Sequence, residues 1–437
     1  MTASMRGTSQ VNVREALPPT DAETRLNHRR CRHLPRLVVG TVLGSIFALG
    51  MLARVPWATA QSVPASLPAR VVVGPPPGPY PMARVNGHRN GMVEELPSRL
   101  QQTWNSAAPG DVRVPAAVDP TGAVVVATES AWLVQFDSKG STQWKKRMDT
   151  SPASTGPVIM SDGTRFVLAV SGQAWGLDPL GHVLFSADLA RFGTNPRTHP
   201  LPVNDGSIAV AIGTNLLVLD RFGSVIKHAD VGQRLIGGLL GDGQSLIATT
   251  ESGDVIRWSS PLPPQRIGRF RGDLRATAAR ADDNALLAIV DSTRLVSMDL
   301  STGLTATLLS TTGLEATPAI GNKDRYYVTT EAGVLLSVSS AGLEHRTRLL
   351  ATRENPSDAD QEPAPARAQV LPSPPVLVDK VGRVAFARSG GLVGVVQPDG
   401  QVHSIASACV RPIDIAPAGR GKLIVVCSNG VVFLFGS

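Results

Sequence analysis

The side chains able to do chemistry are scattered along this chain. Its histidines beyond residue 60 (His88, His182, His199, His228, His345 and His403) stand apart, with no His-Glu-x-x-His pair to grip zinc and no Gly-x-Ser-x-Gly elbow to expose a nucleophile. "GDGQS" and "GRGK" carry glycine but lack the strand-loop-helix setting of a phosphate cradle. Trp132, Trp175 and Trp258 are candidates for an aromatic floor under a flat cofactor, although tryptophan in a strand more commonly packs a core. Carboxylates recur at one spacing: Asp137 before Gly140, Asp178 before Gly181 and Asp220 before Gly223. At that spacing the carboxylate accepts from backbone N–H groups two residues or more onward, and glycine supplies the positive φ that closes a turn. The pattern makes turns rather than acid–base pairs, so neither a catalytic nor a metal-binding or cofactor-binding residue is assigned, and no enzyme activity is expected.

The elements that flank these turns are short β-branched runs such as "GAVVVATE", "GSIAVAIG", "NALLAIVD", "DRYYVTTE" and "KLIVVCSN". Five to eight apolar residues bounded by Gly, Asp and Pro read as strands, and almost nothing reads as a long helix. The glycine anchors fall at 140, 181, 223, 303, 342 and 400, with "RWSSPLPPQ" (257–265) as a degenerate turn in the doubled gap. A period near 40 residues denotes a propeller or another array. Counting a second anchor, from "DPTG" (119–122) to "AGRG" (418–421), gives eight units, the last of which ends after its third strand. The missing strand is assigned to "RLQQTWNSAA" (99–108), whose Trp104 matches the tryptophan of the first unit's outer strand, Trp144. The expectation is an all-β, eight-bladed β-propeller over 91–437, closed by an N-terminal strand that leaves no open joint. A polar, Pro-rich insert at 353–375 reads as a surface loop.

Residues 1–60 read as an export signal: "HRRCRHLPR" precedes the apolar "LVVGTVLGSIFALGMLA" (37–53), and small residues Ala58 and Ala60 precede Gln61. The alternative is a retained anchor, with residues 37–53 in the inner membrane as the protein's sole membrane contact. Either way the body is expected outside the cytoplasm, in the periplasm or extracellular space. The leader holds eight Arg against three acidic residues, so the formal +7 of the chain falls to +2 beyond it. A nearly neutral body lacks the basic face that nucleic acid requires. Residues 61–90 read as a Pro-rich linker. Beyond the leader only Cys409 and Cys427 remain, and two cysteines in an oxidising compartment are expected to pair; the alternative is two buried free thiols.

The stretch "RVNGHRNGMVEELPSRLQQTWNSAAPGDVRVPAAVDPTGAVVVATESAWLVQFDSKGSTQW" (84–144) resembles the pyrroloquinoline-quinone-like β-propeller repeat proteins. The resemblance covers about residues 84–437 and is strongest in the first three units. It implies that a Trp four residues after the turn glycine docks one blade on the next. Trp144 and Phe185 hold that position, whereas Lys227, Thr307, Arg346 and Ser404 replace it elsewhere. The family's dehydrogenases hold a quinone with Ca²⁺, an aromatic floor and a catalytic Asp; no matched ligand set and no adjacent cysteine pair stands here. The reading is a non-catalytic, monomeric propeller that scaffolds or binds an envelope protein. The alternative is a quinone- and calcium-dependent periplasmic dehydrogenase with a divergent site, which places acidic residues and an aromatic floor at one mouth of the central channel. The scaffold reading places small and aliphatic residues along that channel.

Overall fold

A computed structural model describes residues 82–148, 151–203, 206–274, 277–281, 284–322, 324–349 and 373–436, all within one unit, Ser66–Ser437. The expected export signal or anchor, the linker as far as residue 81 and the insert from 353 to 372 lie outside the described residues.

Alternating apolar sequence folds into eight sheets, the blades of a β-propeller, to two of which Met92–Val93 and Thr198–His199 add a short parallel strand. Blade 1 holds Ala117–Val118, Val124–Ala127, Trp132–Phe136 and Thr142–Arg147, and the same four-strand meander recurs. Blades 2 to 7 begin at Val158, Leu201, Leu235, Ala279, Leu314 and Leu377. Blade 8 joins Pro412–Pro417, Lys422–Cys427 and Val431–Gly436 to the early strand Gln101–Ala107, which pairs antiparallel with Val431–Gly436. Leading strands lie side by side around the ring: Ala117–Val118 touches both Val158–Ile159 of blade 2 and Pro412–Pro417 of blade 8. Among the described residues the single helical element is a 3-10 turn, Ala190–Phe192, and no helix there is long and apolar enough to cross a membrane.

Middle strands are buried on both faces, as Val124–Ala127 and Ile208–Ile212 are throughout, because each blade is sandwiched between two neighbours. Outer strands alternate, as in Val225–Asp230, because one face meets solvent. Every outer strand carries a register shift near its start. Such a bulge twists the strand and re-aims the next side chain. The residue just past it is Trp104, Trp144, Phe185, Lys227, Gly268, Leu309, His345 or Ser404, from blade 8 through blades 1 to 7. Thr307 and Arg346, expected at this place in blades 5 and 6, miss it. In blade 5 the bulge falls farther along the strand, and in blade 6 the strand begins at Gly342 itself, so counting from the turn glycine slips in opposite directions.

The linker boundary also changes. Residues 82–90, expected as the end of a solvated tether, are packed inside the ring, with Met82, Ala83, Arg84 and Arg89 all buried. The apolar content of this stretch is too low to nucleate a core of its own, but the inner strands supply one, together with backbone partners for its polar groups.

Candidate functional site

The centre of the ring is filled from within. Four inner strands donate to the backbone of the segment: Gly241 N–H to Gly87, Arg280 N–H to His88, Ile320 N–H to Asn90 and Val378 N–H to Gly91, at 2.8–3.0 Å. These donors come from blades 4, 5, 6 and 7 in turn, so the segment crosses the inner strands of four successive blades. Met92–Val93 then runs parallel to Leu377–Asp379, Glu94 meets Arg420 of blade 8, and the chain reaches the rim as Gln101–Ala107.

Two arginines fix this plug. Arg89 is 0% exposed, and its guanidinium donates to the carbonyls of Leu239 (2.9 Å), Ala83 (2.8 Å), His199 (2.9 Å) and Pro200 (2.8 Å). The planar fork of donors suits several fixed carbonyls at once. A Cβ on Gly238 would come within 2.3 Å of Arg89 Nε, so only glycine leaves room for the side chain. Arg84 donates to Val376 (3.0 Å) and Pro318 (2.5 Å). Arg84, Val85 and Arg89 adopt φ of 70°, 77° and 52°. For β-branched Val85 that conformation is strained and persists because the surroundings dictate it. Beside the plug, burial and the Arg89 charge push the His199 imidazole down to about 3.

The buried Arg84 and Arg89 interrupt the small, aliphatic lining that the scaffold reading expects along the channel. Trp132, Trp175 and Trp258, of blades 1, 2 and 4, pack into three different hydrophobic clusters and do not converge. Asp137, Asp178 and Asp220 sit in turns, each accepting from two backbone N–H groups through Oδ1, as with Lys139 and Ser141 on Asp137. Among the described residues no group of three or more His, Cys, Asp or Glu is arranged to hold a metal ion. Cys409 and Cys427 form a disulfide.

Seams between blades differ around the ring. Trp104 lies on Gly140, Trp144 on Gly181 and Phe185 on Gly223, each aromatic covering the turn glycine of the next blade. The indole N–H groups donate to Ser138 (3.0 Å) and Pro179 (2.9 Å). A buried ion pair, Arg165–Asp119 at 2.7 Å, adds to the seam of blades 1 and 2. At the seam of blades 4 and 5 the corresponding residue is Gly268, and the Ile267 carbonyl abuts Gly303 directly. A groove of about 1110 Å³ opens along the outer strand Gln265–Arg269. Arg266, Arg269 and Arg271 line it beside Ile267 and Leu304. Arg266 and Arg269 lie 3.6 and 3.7 Å from one carboxylate oxygen of Asp254, which is buried beneath them. The third-to-fourth-strand turns of blades 2 to 5 each expose an apolar tip: Leu180, Phe222, Leu262 and Leu304, the last at 73%. Sequence reasoning missed both the plug arginines and this groove. A cluster of Arg and Gly in "QRIGRFRG" was the only signal of the latter.

No family model matches the sequence, and no curated protein is similar to it. Among solved structures the chain is similar to the computationally designed Ika8 protein, with a TM-score of 0.61 and 11% identity over 77% of this chain and 100% of that one. It is likewise similar to the C-terminal WD40 domain of Sif2, with a TM-score of 0.58 and 12% identity over 79% of this chain and 99% of that one. BamB from Moraxella catarrhalis aligns over 77% of this chain and 98% of its own at 14% identity, with a TM-score of 0.42. Identities this low show the fold alone. The class defined by sheets and neighbours together is the eight-bladed β-propeller.

Proposed function

We propose that this chain is an exported, non-catalytic propeller that binds a protein partner in the bacterial cell envelope. The observation that carries the reading is the segment held inside the ring: Arg84, Arg89 and the backbone of 86–91 bond to inner strands of blades 4 to 7, on the side where a propeller commonly holds a small ligand. Recognition therefore falls to the turns and outer edges, where apolar tips and arginines are exposed, and rigid loops and free strand edges are the features by which propellers engage proteins. The basic, then apolar, then small-residue leader supports export, ending in the periplasm or extracellular space or in anchorage through residues 37–53. Domain boundaries at residue 60 and near residue 82 go with this reading, as does a monomeric ring.

The test is site-specific photo-crosslinking of the full chain in bacteria, with the probe at Leu304 and, separately, at Phe222. Discrete adducts in the envelope fraction from either position support the reading, and their absence from both counts against it. The purified chain is also titrated with pyrroloquinoline quinone and Ca²⁺ in a dye-linked oxidation assay, where saturable, calcium-dependent turnover overturns the reading.

A further inference from the structure

We infer that the groove between blades 4 and 5 docks an extended, acidic peptide segment, which adds a strand to Gln265–Arg269. The inference rests on the protein-binding reading above and names the chemistry of the partner. Three independent features converge on it. First, Gln265–Arg269 is the last strand of its sheet, paired with Asp254–Trp258 on one side only, so a row of backbone donors and acceptors faces outward. An unpaired edge is a template for another strand. Second, the strand borders a groove of about 1110 Å³ whose far wall is Thr302, Gly303, Leu304 and Thr305 of the next blade. Third, the guanidinium groups of Arg266, Arg269 and Arg271 line the groove, with the Asp254 carboxylate beneath them and those of Asp291 and Asp299 behind Gly272 and Thr302. The Asp254 carboxylate is already held by Gln233 and Ser252 at 2.9 and 3.2 Å.

An added strand sends alternate side chains to opposite faces, so a segment alternating acidic with apolar residues sets carboxylates against the guanidinium groups and apolar side chains against Ile267 and Leu304. A nucleic acid or other polyanion is the weaker fit. It cannot pair with the strand edge, and the body offers only +2 of net charge to release counterions.

The probe is a fluorescent peptide alternating Asp with Val, measured by anisotropy against the full chain at low salt. Binding is expected to be saturable and to weaken about tenfold in Arg271→Glu, the loss of one charge-assisted contact. Leu304→Asp is expected to weaken it as well. Arg271 and Leu304 are exposed, so both variants are checked for unchanged melting by circular dichroism, and Arg266→Gln serves if either fails to fold. The same peptide with alternate backbone amides N-methylated, and one with Lys in place of Asp, are expected not to bind. No binding of the acidic peptide overturns the inference, and so does binding that all three substitutions leave unchanged. Equal binding of the N-methylated peptide, or of polyphosphate or a single-stranded oligonucleotide of matched charge, overturns it in favour of a general polyanion site. If the peptide fails while Phe222 still yields a discrete envelope adduct, this inference falls and the protein-binding reading stands.

Discussion

The indole of Trp144 in blade 1 lies flat against Gly181 in blade 2, so closely that a Cβ on the glycine would stand 2.7 Å from the ring, and Nε1 donates to the neighbouring Pro179 carbonyl at 2.9 Å. The contact joins two blades by apolar burial, a hydrogen bond and a glycine that alone tolerates both φ of 84° and the approach of the ring. Trp144→Ala is expected to cost about 3 kcal/mol, at the lower end for a large aromatic because the indole is only partly buried. Gly181→Ala is expected to destabilise as well, through strain and clash together. His345→Ala, at the same register in blade 6 but exposed, is expected to stay within about 0.5 kcal/mol of the parent. Urea unfolding followed by circular dichroism checks all three, and equal losses at Trp144 and His345 refute the distinction between seams.

The disulfide links the segment before blade 8 to the end of its second strand, closing a loop across a sequence separation of 18. Restricting the unfolded chain by a loop of that size is worth about 3 kcal/mol. The double variant Cys409→Ser, Cys427→Ser is expected to lose that much, and dithiothreitol is expected to lower the Tm of the parent but not of the variant. A reductant effect of the same size on both chains contradicts this assignment.

The repeat was legible because it is local. An Asp, two or three residues and a Gly specify a turn wherever they stand, and Asp137, Asp178 and Asp220 make their hydrogen bonds within four residues of themselves. Eight blades follow from counting the companion turns between the first two strands of each unit, from 119–122 to 418–421. The plug was not legible, since Arg89 sits among prolines and glycines, and its partners Leu239 and His199 lie 150 and 110 residues away. Only the pairing of 198–199 with 237–238 brings those carbonyls together. The groove escaped for a different reason: its walls, 266–272 and 302–305, lie in adjacent blades, and only their packing sets them side by side.

Arg89 is the central fastening of the plug. Arg89→Met keeps most of its volume but leaves four carbonyls without their donor in a closed space, an expected cost of about 3 kcal/mol or more. Arg89→Lys is expected to recover only part of it, because a lone ammonium cannot span the same acceptors. Hydrogen exchange separates a local from a global effect. In Arg89→Met the amides of Gly241, Arg280, Ile320 and Val378, which donate to the plug, are expected to exchange faster, while Val125 and Val167 in blades 1 and 2 change less. A uniform change across all blades would show that the plug does not open as a unit.

His199 gives the same fastening a dependence on pH. Enclosure of its imidazole, and secondarily the Arg89 charge, hold it near 3 in the folded chain against 6.5 when unfolded. Between those values the unfolded chain binds a proton that the folded chain refuses, so stability contributed by the neutral form is complete above about 6.5 and is lost as pH falls toward 3. The limiting slope is about 1.4 kcal/mol per pH unit; some solvent contact at His199 keeps the observed slope below it. His199→Gln, which cannot take up a proton, is expected to flatten the profile of unfolding free energy between mildly acidic and neutral pH. Carboxylates that titrate at lower pH are common to both chains and cancel in the difference. Parallel profiles would mean that the imidazole titrates at its ordinary value and that acid does not act on the plug through His199. A flattened profile, with faster exchange at Gly241 and Arg280 in the acidified parent, would place the first acid-induced opening at the plug.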